Sequence, residues 1–437
     1  MAEPVERFVA LRHRDFRLVW ASNFVSIVGT QMQLVAINWH IYTLLAGATL
    51  SIPFFGRSLA LSPEALGLGG VGLVRVIPIA LFALIGGNLA DIANRRTLLI
   101  WTNAVAAGLA LSLAVANFAG HDALWVIYLL TALTSATAAF SGPAFQSLIP
   151  NLVPREHLTN AISLNSIVFQ AATITGPALA GLMMSRLNVG WVYVVNALSF
   201  GAIIVALALL RYRGGRAAVD TGLNVKAIAE GWRFVRGTRI IWGSMLLDFF
   251  ATFFSSARTM LPLVAGQILN VGAQGYGILA TADAVGSLIA GSAISLRKDI
   301  YRQGTVLLGS VALYGLATAL FGLSTSFAIS YLLFMFVGAS DTVSTVIRQT
   351  IRQVMTPDRL RGRMTGINQI FFMGGPQLGE LEAGLIAALL GVPFAIVSGG
   401  VATIAMAGVI AWRYPRLRNY TSATLEADQQ RAAAQNR

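Results

Sequence analysis

Gly86-Gly87-Asn88-Leu89-Ala90-Asp91-Ile92-Ala93-Asn94-Arg95-Arg96 is a short polar turn between two long apolar runs. Its glycines close one run, and its carboxylate and arginines open the next. The chain around it has 437 residues, 56% hydrophobic and 11% charged, where a soluble globular chain carries about 25% charged residues. Apolar runs of about 20 residues, enough to cross a bilayer, recur along nearly its whole length. Such a turn is where two membrane helices meet water. The fold class is therefore all-α, polytopic and embedded in lipid.

The composition also excludes functions. There is no cysteine, so neither a disulfide framework nor a thiolate metal site is available. His13, His40, His121 and His157 are scattered, without the H-E-x-x-H spacing of a zinc protease. No G-x-S-x-G and no Walker loop occur, and no loop is long enough for a catalytic soluble domain. We expect no enzyme, no metal and no cofactor. The net charge of +13 could suggest nucleic acid, but the basic residues lie in short loops between apolar runs, where they set membrane topology. No nucleic-acid partner is expected. Arg7, Arg12, Arg14 and Arg17 precede a first apolar run too long for a signal peptide.

Twelve spans are expected, at roughly 16–45, 65–87, 97–119, 123–146, 159–184, 190–211, 240–268, 275–296, 303–323, 327–350, 364–390 and 392–412. With the N-terminus inside, the inner segments hold nearly all Lys and Arg, and the outer ones only Arg57 and Arg186. By the positive-inside bias both termini are cytoplasmic, in the inner membrane of a cell. Residues 1–15 form a cytoplasmic segment, 16–211 a first bundle of six helices, 212–239 a cytoplasmic linker and 240–412 a second bundle. Residues 413–437 form a polar tail, expected to be disordered. Within the linker, Leu223, Ile228, Trp232 and Val235 suit an amphipathic helix on the inner leaflet; the alternative is a solvated connection.

The two halves echo each other. Pro154-Arg155-Glu156-His157-Leu158 is followed by Gly176-Pro177, and Pro357-Asp358-Arg359-Leu360-Arg361-Gly362-Arg363 by Gly375-Pro376. Repeated halves are a mark of transporters. Over residues 16–412 the chain resembles the major facilitator superfamily, and within it the drug:proton antiporter branch that holds enterobactin exporters and macrolide-efflux proteins. Gly87, Asp91, Arg95 and Arg96 match the loop 2–3 signature. Asp15-Phe16-Arg17, Gly176-Pro177 and Thr356 to Arg363 complete the likeness. Ile92 replaces a usual basic residue, Asn94 a usual glycine, and the connection at 46–64 is longer than the family's. The resemblance implies that Asp91 helps lock the outward-open state, while Arg95 and Arg96 also fix topology. After span 8 the matching place holds Ser295, so the lock is carried by one half. Gly176-Pro177 resembles the antiporter motif, where proline bends the helix and glycine admits a neighbour.

Charges inside spans are costly and mark function or pairing. Asp248 and Asp341 lie in spans 7 and 10, which line the cavity in this superfamily, and are candidates for proton or substrate coupling; paired structural carboxylates are the alternative. Asp341, Arg348 and Arg352 share a helix face, and Arg348 is expected in a structural pair. Arg75, Glu380 and Glu382 are further coupling candidates, with one carboxylate expected to neutralise Arg75 in one conformation. Gln31, Asn38, His40 and Thr134 are cavity-lining candidates, with His40 also expected in an ordinary helix–helix hydrogen bond. The function expected is proton-coupled export of a small organic molecule, a siderophore or drug, by a monomer in a lipid bilayer. The alternatives are a lysophospholipid flippase, an uncoupled facilitator, or a membrane sensor or enzyme.

Overall fold

The computed structural model describes residues 8–54, 57–92, 94–213, 225–296 and 300–424, without the side chains of 52–54, 57–59, 83–92, 225–228 and Asp358. Lipid offers the backbone no hydrogen-bond partner, so a spanning segment must satisfy its own N–H and C=O groups. The chain answers with helices. In order they are α1 (Arg14–Leu45), α2 (Pro63–Ile92), α3 (Arg95–Phe118), α4 (Leu124–Leu148), α5 (Leu158–Met184) and α6 (Gly190–Ala208). The second half holds α7 (Val225–Gly237), α8 (Arg239–Phe254), α9 (Ala257–Leu263), α10 (Gly272–Leu279), α11 (Ala282–Ser295), α12 (Gln303–Leu323), α13 (Phe327–Met355), α14 (Asp358–Leu390), α15 (Val392–Arg413) and the short α16 (Pro415–Arg418).

Ten helical stretches among the described residues are long and apolar enough to cross a membrane. α1 and α14, of 32 and 33 residues, are longer still but more polar; they occupy the places of the first and eleventh expected spans. Trp101, Trp125 and Trp412 stand exposed near helix ends, as aromatic belts at a bilayer interface do.

Three features differ from the sequence reading. The long connection at 46–64 contains an antiparallel hairpin, β1 (Leu50–Phe54) and β2 (Arg57–Leu61), with Leu50 opposite Leu61. Span 7 is broken between α8 and α9, and a π-helical turn, Val264–Ile268, follows Pro262. Pro262 lacks the N–H that would continue the ladder. Span 8 is broken at Ala280 and Thr281, between α10 and α11. The linker forms the amphipathic helix α7, and it packs on α14 and α8.

The chain divides into two compact units. The first comprises 1–44, 74–221 and 272–281; the second 45–73, 222–271 and 282–437. In the first, α3 packs on α4 and α6, and α5 on α10. In the second, α12 packs on α13 and α15, and α8 on α14 and α15. Glycine sets the closest approaches. A Cβ on Gly181 would fall 2.6 Å from the Cα of Gly277, and one on Gly69 2.8 Å from the Cα of Gly384. Both Gly-Pro pairs act alike: a Cβ on Gly176 would sit 2.5 Å from the Cβ of Gln31 in α1, and one on Gly375 3.0 Å from the carbonyl of Phe249 in α8. Each proline-bearing helix thus rests a bare backbone on the first long helix of its own half.

Overpacking such a contact costs about 1–3 kcal/mol. Gly176→Leu should therefore lower the unfolding temperature of the detergent-solubilised protein well below that of Gly201→Leu, since Gly201 has open space around it. Equal shifts in thermal unfolding would contradict this account of the α1–α5 contact.

Candidate functional site

The second unit buries a charged cluster. Asp248 on α8 is 2% exposed, and Arg348 and Arg352 on α13 are 1% and 3% exposed. Arg348 Nη2 lies 3.0 Å from Asp248 Oδ1 and 3.6 Å from Asp341 Oδ1. Arg352 Nη1 lies 3.7 Å from Asp248 Oδ2 and donates to Asn368 Oδ1 on α14. Thr345 Oγ1 accepts from Arg348 at 2.8 Å. Positions 341, 345, 348 and 352 recur at helical spacing, so they share one face of α13, and Arg348 and Arg352 reach α8 from it. Two carboxylates and two guanidiniums balance, which is what an interior of low dielectric demands. They are not equally placed. Asp248 is enclosed, whereas the Asp341 side chain is 48% exposed and pairs with Arg348. Tyr314 on α12 donates to the carbonyl of Ser255 at 3.3 Å, at the break between α8 and α9.

A second pair, Arg258 with Asp283, joins α9 to the start of α11. Asp283 Oδ1 also accepts from the N–H of Ala284 at 2.8 Å.

The first unit holds a cavity of about 590 Å³ that is lined, among the described residues, by no charged side chain. Asn23 of α1, Asn103 of α3, Gln146 of α4 and Asn165 and Gln170 of α5 line it, beside Phe145 and Phe169. Asn23 donates to Asn165 at 3.2 Å. Amides and aromatic faces suit a neutral solute that offers both hydrogen-bonding groups and rings. None of these amides is among the cavity-lining candidates read from the sequence, Gln31, Asn38, His40 and Thr134. Asn103, Asn165 and Gln170 carry the same signal, an amide within an apolar run.

The other expected residues fall as follows. Near the opening turn, Asn94 caps α3 by accepting from the N–H groups of Arg96 and Thr97. Arg95 donates to the carbonyl of Ser147, and Arg96 to that of Ala208 at 2.7 Å. Both bind carbonyls at or near the ends of α4 and α6, where a cation is favoured. Gly87 and Asp91 lie in the part of α2 whose side chains are outside the described residues, and Arg297, Lys298 and the tail from 425 lie outside the described residues altogether. Ser295 hydrogen-bonds its own helix. Arg75 belongs to the first unit and Glu380 and Glu382 to the second; Glu380 packs beside Gly72.

Among the cavity candidates, Gln31 abuts Gly176, Asn38 is partly buried, and Thr134 donates to the carbonyl of Leu130. His40 makes the helix–helix bond expected of it, 3.0 Å from Tyr193 Oη, and also lies 3.4 Å from Asp122. It lines a smaller cavity of about 300 Å³ with Trp39, Asn117 and Asn188.

Removing one partner of a buried ion pair costs about 3–5 kcal/mol. Asp248→Ala should therefore lower thermal stability in detergent far more than Asp341→Ala. The double variant Asp248→Asn, Arg348→Gln should recover part of the loss. Comparable destabilisation by the two single alanine variants would show that the exposed carboxylate is as structural as the enclosed one.

The family model described as a transmembrane secretion effector matches residues 5–435. The enterobactin exporter EntS of Salmonella choleraesuis strain SC-B67 is 26% identical over 389 residues, 89% of each chain. Its counterpart in Escherichia coli O1:K1 is 25% identical over 379 residues, 86% of each chain. Among solved structures, a bacterial homologue of the human lysosomal transporter Spinster superposes with a TM-score of 0.66 at 15% identity, covering 95% of this chain and 98% of that one. The nucleoside transporter NupG gives 0.67 at 14% identity, covering 93% of this chain and 100% of that one. These structural likenesses carry the fold, and the family match carries the kinship. The chain is a multi-pass inner-membrane transporter of the transmembrane secretion effector family, within the major facilitator superfamily.

Proposed function

We propose that the protein is a proton-coupled exporter of a small organic molecule, a siderophore or drug, working by alternating access. The observation that carries this reading is the unequal pair of carboxylates around Arg348. Asp248 is enclosed by two arginines and serves as the fixed counter-charge. Asp341 shares Arg348 from a half-exposed position, so it is the carboxylate a proton reaches. Protonation of Asp341 leaves Arg348 to Asp248 alone and frees an edge of the cluster. A charge change inside a low-dielectric bundle shifts the balance between two conformations by its differential stabilisation of each.

The neutral, amide-lined cavity supplies the substrate wall. The exporter direction draws on the kinship with enterobactin exporters and on Gly176-Pro177. The loop charges support cytoplasmic termini, and in this reading the two halves, 16–211 and 240–412, act as the moving bundles of a monomer. Asp91 holds the cytoplasmic side closed in the outward-open state, and the half with Ser295 lacks that hold.

In inverted vesicles with an acidic lumen, the protein should accumulate one of enterobactin, erythromycin or ethidium. Collapse of the gradient should abolish uptake. Asp341→Asn should cut gradient-driven uptake at least tenfold while leaving equilibrium binding of the same compound intact. Wild-type uptake by Asp341→Asn would remove Asp341 from the coupling step. Separately, Asp91→Asn should slow transport far more than Ser295→Ala; equal effects would reduce the opening turn to a topology signal.

A further inference from the structure

The linker helix α7 is fastened within the second unit in two ways. Its apolar side packs by aromatic contact: Trp232 stands 6.3 Å from Phe371 of α14 and 5.8 Å from Trp242 of α8, ring centre to ring centre. Val235 is fully buried in the same cluster. Gly231 lets the two backbones close, since a Cβ there would lie 2.9 Å from the Cβ of Arg363. Next to it, Glu230 pairs with Arg363 and, at 3.5 Å, with Arg359. These arginines are four residues apart, one turn of α14. One carboxylate therefore clasps the first two turns of that helix.

α14 runs unbroken from Asp358 to Leu390. Five residues beyond Arg363, about 7.5 Å along the axis, Asn368 accepts from Arg352. Arg352 in turn reaches Asp248 at 3.7 Å. A continuous path thus leads from the linker to the buried cluster: Glu230, Arg363, the α14 backbone, Asn368, Arg352, Asp248. Each link is a contact within one unit. Arg352 is shared between a neutral amide on α14 and a carboxylate on α8, so a shift of α14 changes how much of its charge Asp248 feels.

We propose that Glu230 is a positioning residue for the coupling cluster: by clasping the start of α14 it sets where Asn368 holds Arg352. The inference rests on the coupling role given above to Asp248 and Asp341. The clasp is not needed to keep α7 in place, because the aromatic cluster already does so. Side chains as exposed as Glu230 (43%) and Arg359 (76%) add little to stability when they pair. Their removal therefore tests position rather than folding.

The test uses the full chain in inverted vesicles with an acidic lumen and enterobactin as the probe. Glu230→Gln should lower maximal uptake three- to tenfold with KM unchanged, and Glu230→Asp should retain most of it. The reversed set Glu230→Arg, Arg359→Glu, Arg363→Glu should recover at least half. In parallel, hydrogen exchange of residues 358–368 in detergent should quicken in Glu230→Gln and return to the wild-type rate in the reversed set. Wild-type uptake in Glu230→Gln, or a reversed set that restores exchange but not uptake, would overturn the proposal. If the wild type shows no gradient-driven uptake, the coupling reading fails by itself. Exchange then decides whether Glu230 positions α14, and an unchanged rate in Glu230→Gln rejects it.

Discussion

A guanidinium buried to 1% exposure must be matched, and much of the second unit is arranged to match Arg348. An isolated charge there would lose its hydration with nothing in return. The requirement draws α8 to α13 through Asp248, places Thr345 one turn before Arg348, and recruits α14 through Asn368 and Arg352. It also explains a carboxylate in the middle of the apolar stretch Leu246-Leu247-Asp248-Phe249-Phe250. Four ionic groups balance within a few ångströms, and only one of them, Asp341, keeps a half-exposed side chain. Neutrality offsets the cost of burying the cluster, and Asp341 is its exposed member.

Close helix packing is the second constraint, and here the two halves solve the same problem twice. In a bilayer, helices gain little from hiding apolar surface, so contact area and backbone approach decide their association. Gly176 and Gly375 rest on α1 and α8, the first long helices of their halves, and in each the proline next in sequence removes a backbone N–H at that contact. Gly181 with Gly277, and Gly69 with Gly384, bring backbones together within each unit. The paired use of α3 with α6 and of α12 with α15 repeats the pattern at larger scale.

The helices were legible because a spanning segment must be apolar over a fixed length and because loop charges punctuate it. Asp341, Arg348 and Arg352 could be placed on one face by spacing alone. Their partner Asn368 could not, since it lies on a different helix and polar residues in α14 are common. The hairpin at 50–61 was hidden by its length: five-residue strands within a loop leave no clear periodicity. The breaks after Phe254 and at Ala280 were equally hidden. At the first, Ser255 supplies its own replacement bonds, its hydroxyl meeting Thr403 at 2.8 Å and its carbonyl accepting from Tyr314. Such a break shows in sequence only as two serines.

The main polar groupings of the two units differ. Among the described residues, the first unit's cavity of about 590 Å³ is lined by amides, hydroxyls and rings, whereas the second unit gathers Asp248, Asp341, Arg348 and Arg352 in one cluster. That separation has a physical use. A solute held by neutral donors and acceptors does not compete with a proton for the same carboxylate, so loading one need not expel the other by direct displacement. Under the proposed proton coupling, the effect would pass through conformation, by the influence of the charge state on helix packing. A cluster tied to α8, α13 and α14 together is suited to that task, because a changed charge on Asp341 alters the hold of Arg348 on α8 while Arg352 and Asn368 still tether α14. The linker helix is fastened to that same α14, so the proposed coupling would act on it as well.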